Sequence, residues 1–174
     1  NLGIKYLGFV FFEKSPRFLR NDIAKSLIPL TPPGIMKVGL VVNPSDDCLN
    51  TISSLNLDML QLHGSESIDR VKEIKSKFNF SLIKAIGIKE KKDLDLVESY
   101  SEVADHILID AKPSLNSSLP GGNGIKFDWT ILEKNSWDFP WFLAGGLNVD
   151  NITEALSMTK AKKVDLSSGV EDSK

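Results

Sequence analysis

Apolar residues gather in six short runs along the chain: YLGFVFF (6–12), MKVGLVV (36–42), LDMLQL (57–62), SLIKAIGI (81–88), HILIDA (106–111) and WFLAGG (141–146). A seventh, KVDLSS (163–168), is shorter and runs out into Ser167-Ser168-Gly169. Val, Ile, Leu and Phe dominate, and several runs are continuously apolar rather than alternating. Strands of a parallel sheet look like this when both faces of the sheet are covered.

The segments between the runs are charged and carry helical spacing. In SESIDRVKEIKSKF, Ile68, Val71, Ile74 and Phe78 recur at steps of three and four, which leaves one apolar face and one rich in Lys and Glu. Ser45 before DDCLNTISS, Asp128 before WTIL and Asn148 before VDNITEAL are expected N-caps. In KKDLDLVESYSEV (91–103), Tyr100 and Val103 continue the Leu94–Val97 stripe only loosely.

Strand then helix, repeated six times and ending on a seventh strand, predicts α/β organisation. Strand starts are about 20 to 35 residues apart, enough for a right-handed crossover each time. Periodicity alone does not separate a barrel from an open doubly wound sheet. The opening LGIKYLGFVFF reads as the tail of a helix running into a strand, and the chain stops six residues after Ser168. Both favour a (β/α)8 TIM barrel, read as one domain over 1–174 with its first βα unit and last helix outside these residues. One irregular stretch, AKPSLNSSLPGGNGIKF (111–127), is too long for an idle connection; such loops usually serve function or move.

Charge changes the picture little. There are 21 Lys and Arg against 23 Asp and Glu, so the net charge of −2 provides no electrostatic reason to expect nucleic acid. No apolar stretch is long enough to span a bilayer, and no basic n-region precedes an apolar h-region. Cys48 is the sole cysteine, which rules out an intrachain disulfide and suits a reducing cytoplasm. It falls on the apolar side of its predicted helix, as a core residue would. His63 and His106 have no cysteine or carboxylate cluster at ligand spacing, so no metal is expected.

In parallel α/β folds, functional groups sit where strands end and loops begin. Ala144-Gly145-Gly146-Leu147-Asn148 ends one strand and Ser167-Ser168-Gly169-Val170-Glu171 the next. Glycines admit an anion close to the backbone, and N–H groups at a helix start point toward it. Two such loops in the last two units favour a phosphate site over mere tight turns. Asp110 ends HILID, where a buried carboxylate with a raised pKa can act as a general acid; an Asp capping a turn fits the position equally well. Arg17, beside Pro16, is placed to clamp a carboxylate in bidentate fashion, although a solvated arginine is the commoner case. His63 ends its strand too, and a histidine that only hydrogen-bonds a neighbouring loop is the commoner reading.

Taken in order, these segments resemble the phosphoribosylanthranilate isomerase family over the whole 174 residues. The resemblance is carried by GFVFFEKSPRF (8–18), KVGLVVNPS (37–45), LQLHGSES (60–67), IKAIGI (83–88), LIDAK (108–112), PGGNGIKFDW (120–129), LAGGLNVDN (143–151) and VDLSSGVE (164–171). It implies an Amadori rearrangement in tryptophan biosynthesis. N-(5-phosphoribosyl)anthranilate opens its ribose ring and becomes 1-(2-carboxyphenylamino)-1-deoxyribulose 5-phosphate, with no cofactor and no metal. Asp110 matches the family's general acid and Arg17 the arginine that faces the anthranilate carboxylate. Gly145, Gly146, Ser168 and Gly169 match the phosphate loops, and His63 the histidine of the QLHG segment. Asp165 matches a further family position, to which the resemblance attaches no role.

The family's general base is a cysteine in a Lys-Ile-Cys-Gly type segment that these residues do not contain, and Cys48 is in the wrong βα unit to replace it. A polypeptide limited to 1–174 is therefore expected to be inactive. Asn123, Ile125 and Lys126 also depart from the family's glycine-rich loop pattern. The rival readings are another phosphate-binding barrel, such as indole-3-glycerol-phosphate synthase, and a catalytically dead module that binds a phosphoribosyl ligand. The oligomeric state is not legible in the sequence.

Overall fold

Each of the six apolar runs forms a strand: β1 (Tyr6–Val10), β2 (Met36–Val41), β3 (Met59–Leu62), β4 (Ser81–Ile88), β5 (His106–Ala111) and β6 (Trp141–Leu143). The computed structural model describes residues 3–112 and 128–171. Among the described residues, five α-helices accompany the strands: α1 (Asn21–Leu27), α2 (Asp46–Ser53), α3 (Ile68–Lys77), α4 (Leu94–Ser101) and α5 (Ile152–Thr159). The fold is α/β, as the alternating pattern predicts. Contacts divide the chain into two compact units, Asn1–Ile83 and Lys84–Lys174, with the division inside β4.

In the first unit the strand order follows the chain from β1 to the start of β4. The β1–β2 and β2–β3 pairs are parallel, with Phe9 beside Gly39 and Gly39 beside Leu60. All four residues of β3 are buried, which is why Met59 to Leu62 reads without alternation. Parallel neighbours need helical crossovers, and these cover the sheet. In α2 the Ser45 hydroxyl accepts from the Cys48 N–H at 3.2 Å, confirming that cap, while Asp46 and Asp47 sit in the first turn. In α3, Val71 and Ile74 are fully buried. Each contributes on the order of 1.5–3 kcal/mol relative to an exposed side chain.

Phe78, expected to continue the α3 stripe, is instead the C-cap with extended backbone. Ser67 caps the other end by accepting from the Arg70 N–H at 3.2 Å, and Asp69 faces the dipole's positive end. Ser67→Ala should therefore cost about 1 kcal/mol, read as a lower urea midpoint with an unchanged slope.

In the second unit the order is β4, β5, β6, with β5 and β6 parallel. The 91–103 segment divides into a 3-10 turn (Lys91–Asp93) and α4, whose buried residues are Leu94 and Val97. Asp128 caps as expected by accepting from the Thr130 N–H at 3.0 Å, but the element it caps is a 3-10 turn (Trp129–Leu132).

Two expectations need correction. Asn148 does not cap α5; its Oδ1 accepts from the N–H groups of Asp150 and Asn151, folding 148–151 into a turn. The helix then starts three residues later than expected, with Asn151 at the N-cap position. The seventh run is not a strand of any length. It forms a single parallel bridge from Val164 to Leu143, the last residue of the three-residue β6. Among the described residues, no helix is long and apolar enough to cross a membrane.

Candidate active site

At the end of β1 the chain makes a closed excursion. Ser15 N–H donates to Phe12 O, Phe18 N–H to Ser15 O, and Leu19 N–H returns to Val10 O at 2.7 Å. The Ser15 hydroxyl accepts from the Arg17 N–H at 3.1 Å, so Arg17 is held, half-buried, on a short turn over the strand's C-terminal end.

His63 lies one residue past β3, and its N–H donates to Val41 O at 2.9 Å. The Gln61 amide is 2.8 Å from Nδ1. With that amide donating, Nδ1 is the acceptor and a neutral ring carries its proton on Nε2.

Sequence reasoning missed Glu66. Its carboxylate is only 3% exposed and accepts from the Asn43 N–H at 2.8 Å and from the Gly64 N–H at 3.1 Å. Asn43, at φ +45°, in turn accepts the Ser65 N–H on Oδ1 at 2.9 Å. The loops after β2 and β3 are thus tied together beside His63. An acid at the start of a helix usually reads as a solvated dipole partner, so nothing in the sequence marks this one as buried. Glu66→Gln keeps the shape but turns an amide NH₂ toward backbone donors. A loss of roughly 1.5–3 kcal/mol is expected, the scale of a hydrogen bond to a charged group, measured by urea unfolding.

Cys48 is half-buried on α2 rather than in the core, beside a cavity of about 290 Å³ lined by Phe11, Phe18 and Ile52 among others. Burial raises its thiol pKa, which makes it a poor base or nucleophile at neutral pH.

In the second unit, Asp110 is the penultimate residue of β5 and is 8% exposed. Its Oδ1 accepts from the Ala111 N–H at 2.7 Å. Gly145, at φ +89°, packs directly against this pair. A Cβ there would lie 2.7 Å from Ala111 N and 3.2 Å from Asp110 Oδ1, so conformation and space both demand glycine. His106 opens the same strand at the opposite end from Asp110.

The loop after β6 and the 3-10 turn at Ser168–Val170 meet closely. A Cβ on Gly169 would fall 2.0 Å from Leu147 O and 3.0 Å from Asn148 Cα. Asn151 braces the first loop by donating from Nδ2 to Gly146 O and accepting from the Asn148 N–H, both at 2.9 Å. That N–H is consequently engaged, whereas the N–H groups of Gly146, Ser168 and Gly169 have no acceptor among the described residues. Two adjoining loops with backbone donors to spare suit an anion. Asp165 donates its N–H to Leu143 O beside them, at 2.9 Å. Asn123, Ile125, Lys126 and most of the 111–127 loop lie outside the described residues. Among those described, no group of three His, Cys, Asp or Glu is arranged to hold a metal.

The family described as N-(5'-phosphoribosyl)anthranilate (PRA) isomerase matches residues 1–173. An N-(5'-phosphoribosyl)anthranilate isomerase of Cereibacter sphaeroides is 48% identical over 170 residues, which is 97% of this chain and 80% of that relative. The enzyme of the same name from Paramagnetospirillum magneticum is 45% identical, over 97% of this chain and 79% of its own. The crystal structure of phosphoribosyl anthranilate isomerase from Thermotoga maritima superposes with a TM-score of 0.82 at 32% identity, covering 96% of this chain and 78% of that one. A second isomerase structure, in complex with reduced 1-(o-carboxyphenylamino)-1-deoxyribulose 5-phosphate, gives a TM-score of 0.77 at 30% identity, covering 96% and 77%. The chain belongs to the phosphoribosylanthranilate isomerase family.

Proposed function

We propose that this protein carries out the isomerisation for which its family is named, converting N-(5-phosphoribosyl)anthranilate to 1-(2-carboxyphenylamino)-1-deoxyribulose 5-phosphate for tryptophan synthesis. The observation that carries the reading is the second unit's arrangement of a buried carboxylate against one of two adjoining glycine loops. Asp110 gives its proton to the ribose ring oxygen, the ring C–O bond breaks, and the nitrogen lone pair forms an iminium at C1. Loss of the C2 proton to a base then yields an enamine, which becomes the C2 ketone; no atom is gained or lost overall. The backbone donors of Gly146, Ser168 and Gly169 hold the phosphate, with Gly145 shaping the loop beside the acid. Arg17 pairs with the anthranilate carboxylate, and His63 borders the substrate from the end of β3. The base belongs to a Lys-Ile-Cys-Gly type segment in the family, and Cys48 is not offered in its place.

The fold class that goes with this reading is a single (β/α)8 barrel domain, supported by the parallel strand order and the superposition on family structures. The cytoplasm is its compartment.

The test is conversion of the phosphoribosyl substrate by the native polypeptide. The product should have the substrate's mass and a new ketone carbon at C2 in the 13C NMR spectrum. No conversion, or a product lighter by carbon dioxide and water, would overturn the reading.

A further inference from the structure

Asp93 and Lys112 take no part in the chemistry above, yet they grip the end of the strand that carries Asp110. Asp93 ends the 3-10 turn after β4 and is 4% exposed. Its Oδ2 accepts from the N–H groups of Lys89 at 2.9 Å and Glu90 at 3.0 Å, and its Oδ1 accepts from Lys112 Nζ at 2.8 Å. Burial pushes its pKa up, but Lys112 and the two N–H donors together outweigh this and hold it below the usual carboxylate value. Asp93 is therefore a carboxylate at neutral pH.

Lys112 is also held by its backbone. Its N–H donates to Ile88 O at 3.0 Å, and its Cα lies where Gly87 leaves room, 3.0 Å from the position of an absent Cβ. Gly145 bears on the next residue back, Ala111. The peptide whose N–H orients the Asp110 carboxyl is thus confined between the β6 loop on one side and the Lys112 anchor on the other.

We propose that the Asp93–Lys112 ion pair is a positioning device for Asp110, fixing the Ala111 N–H that aims the acid's carboxyl. The inference rests on reading Asp110 as the acid. A partly buried ion pair with two further backbone donors is geometrically stiff, and an acid displaced by a fraction of an ångström protonates its target poorly.

The experiment is steady-state kinetics on the native polypeptide carrying Asp93→Asn, Lys112→Met, both together, Lys112→Arg or Asp110→Asn. Each single change at 93 or 112 should lower kcat by roughly 10- to 100-fold, the scale of a misplaced catalytic group, with KM within about twofold. The double variant should be no slower than the worse single, and Lys112→Arg should recover most of the rate. Should Asp93→Asn fail to fold, Lys112→Met decides alone, since that side chain is 45% exposed and its loss leaves no large void.

If Asp110→Asn is inactive while Lys112→Met turns over normally, the positioning role is overturned and the acid stands. Losses that appear in KM, or that multiply in the double variant, also overturn it. Normal turnover by Asp110→Asn removes the acid, and with it anything to position.

Discussion

Asp110→Asn should lower kcat by roughly 100-fold or more while substrate still binds, the usual scale for losing a general acid. The substitution is nearly isosteric. Its remaining oxygen can still accept from the Ala111 N–H, now 2.7 Å from Oδ1, so the strand end keeps its shape. In the proposed mechanism, what disappears is the transferable proton for the ring oxygen. Breaking the ring C–O bond without it means expelling an alkoxide, and the barrier rises accordingly. The measurement is kcat with substrate affinity determined separately, so that the loss is assigned to chemistry rather than binding. Turnover within a few-fold of the unsubstituted protein would show that Asp110 is a structural cap.

Gly169→Val should abolish phosphate binding. A Cβ at 169 meets Leu147 O at 2.0 Å, and that neighbour is backbone, not a flexible side-chain end. The two loops must separate, taking the N–H groups of Ser168 and Gly169 away from Gly146. Valine at Gly146 should act differently, by forcing a β-branched residue into φ +64°. Arg17→Ala is the control, because Arg17 belongs to the other unit and to the carboxylate end of the proposed substrate.

Inorganic phosphate makes the comparison without turnover. A ligand at about 100 times its Kd stabilises by about 2.7 kcal/mol, visible as a raised unfolding temperature. The Arg17 variant should retain that shift and both glycine variants should lose most of it. Equal protection of all three would place the phosphate elsewhere.

The sequence by itself determined the alternation of elements. Val, Ile and Leu over four to eight consecutive residues have few ways to leave water, and a strand covered on both faces is one of them. That is why Met59–Leu62 and His106–Ala111 were legible, and why Asp110 and the glycine pair at 145–146 could be assigned to strand ends. Caps that act over three residues, such as Ser45, were legible for the same local reason.

The tertiary structure decided whatever depends on partners distant in the chain. Asn148 reads as the cap from sequence, but a turn in which Asn148 and Asn151 each bind the other moves the N-cap position to Asn151. KVDLSS has a strand's composition, but β6 is only three residues long and offers it a single bridge. Glu66 reaches Asn43 across 23 residues and Lys112 reaches Asp93 across 19. An acidic residue in a polar segment looks the same in sequence whether it is solvated or buried against backbone donors. Its burial is a property of the loop that folds over it, and no local pattern encodes that loop's path.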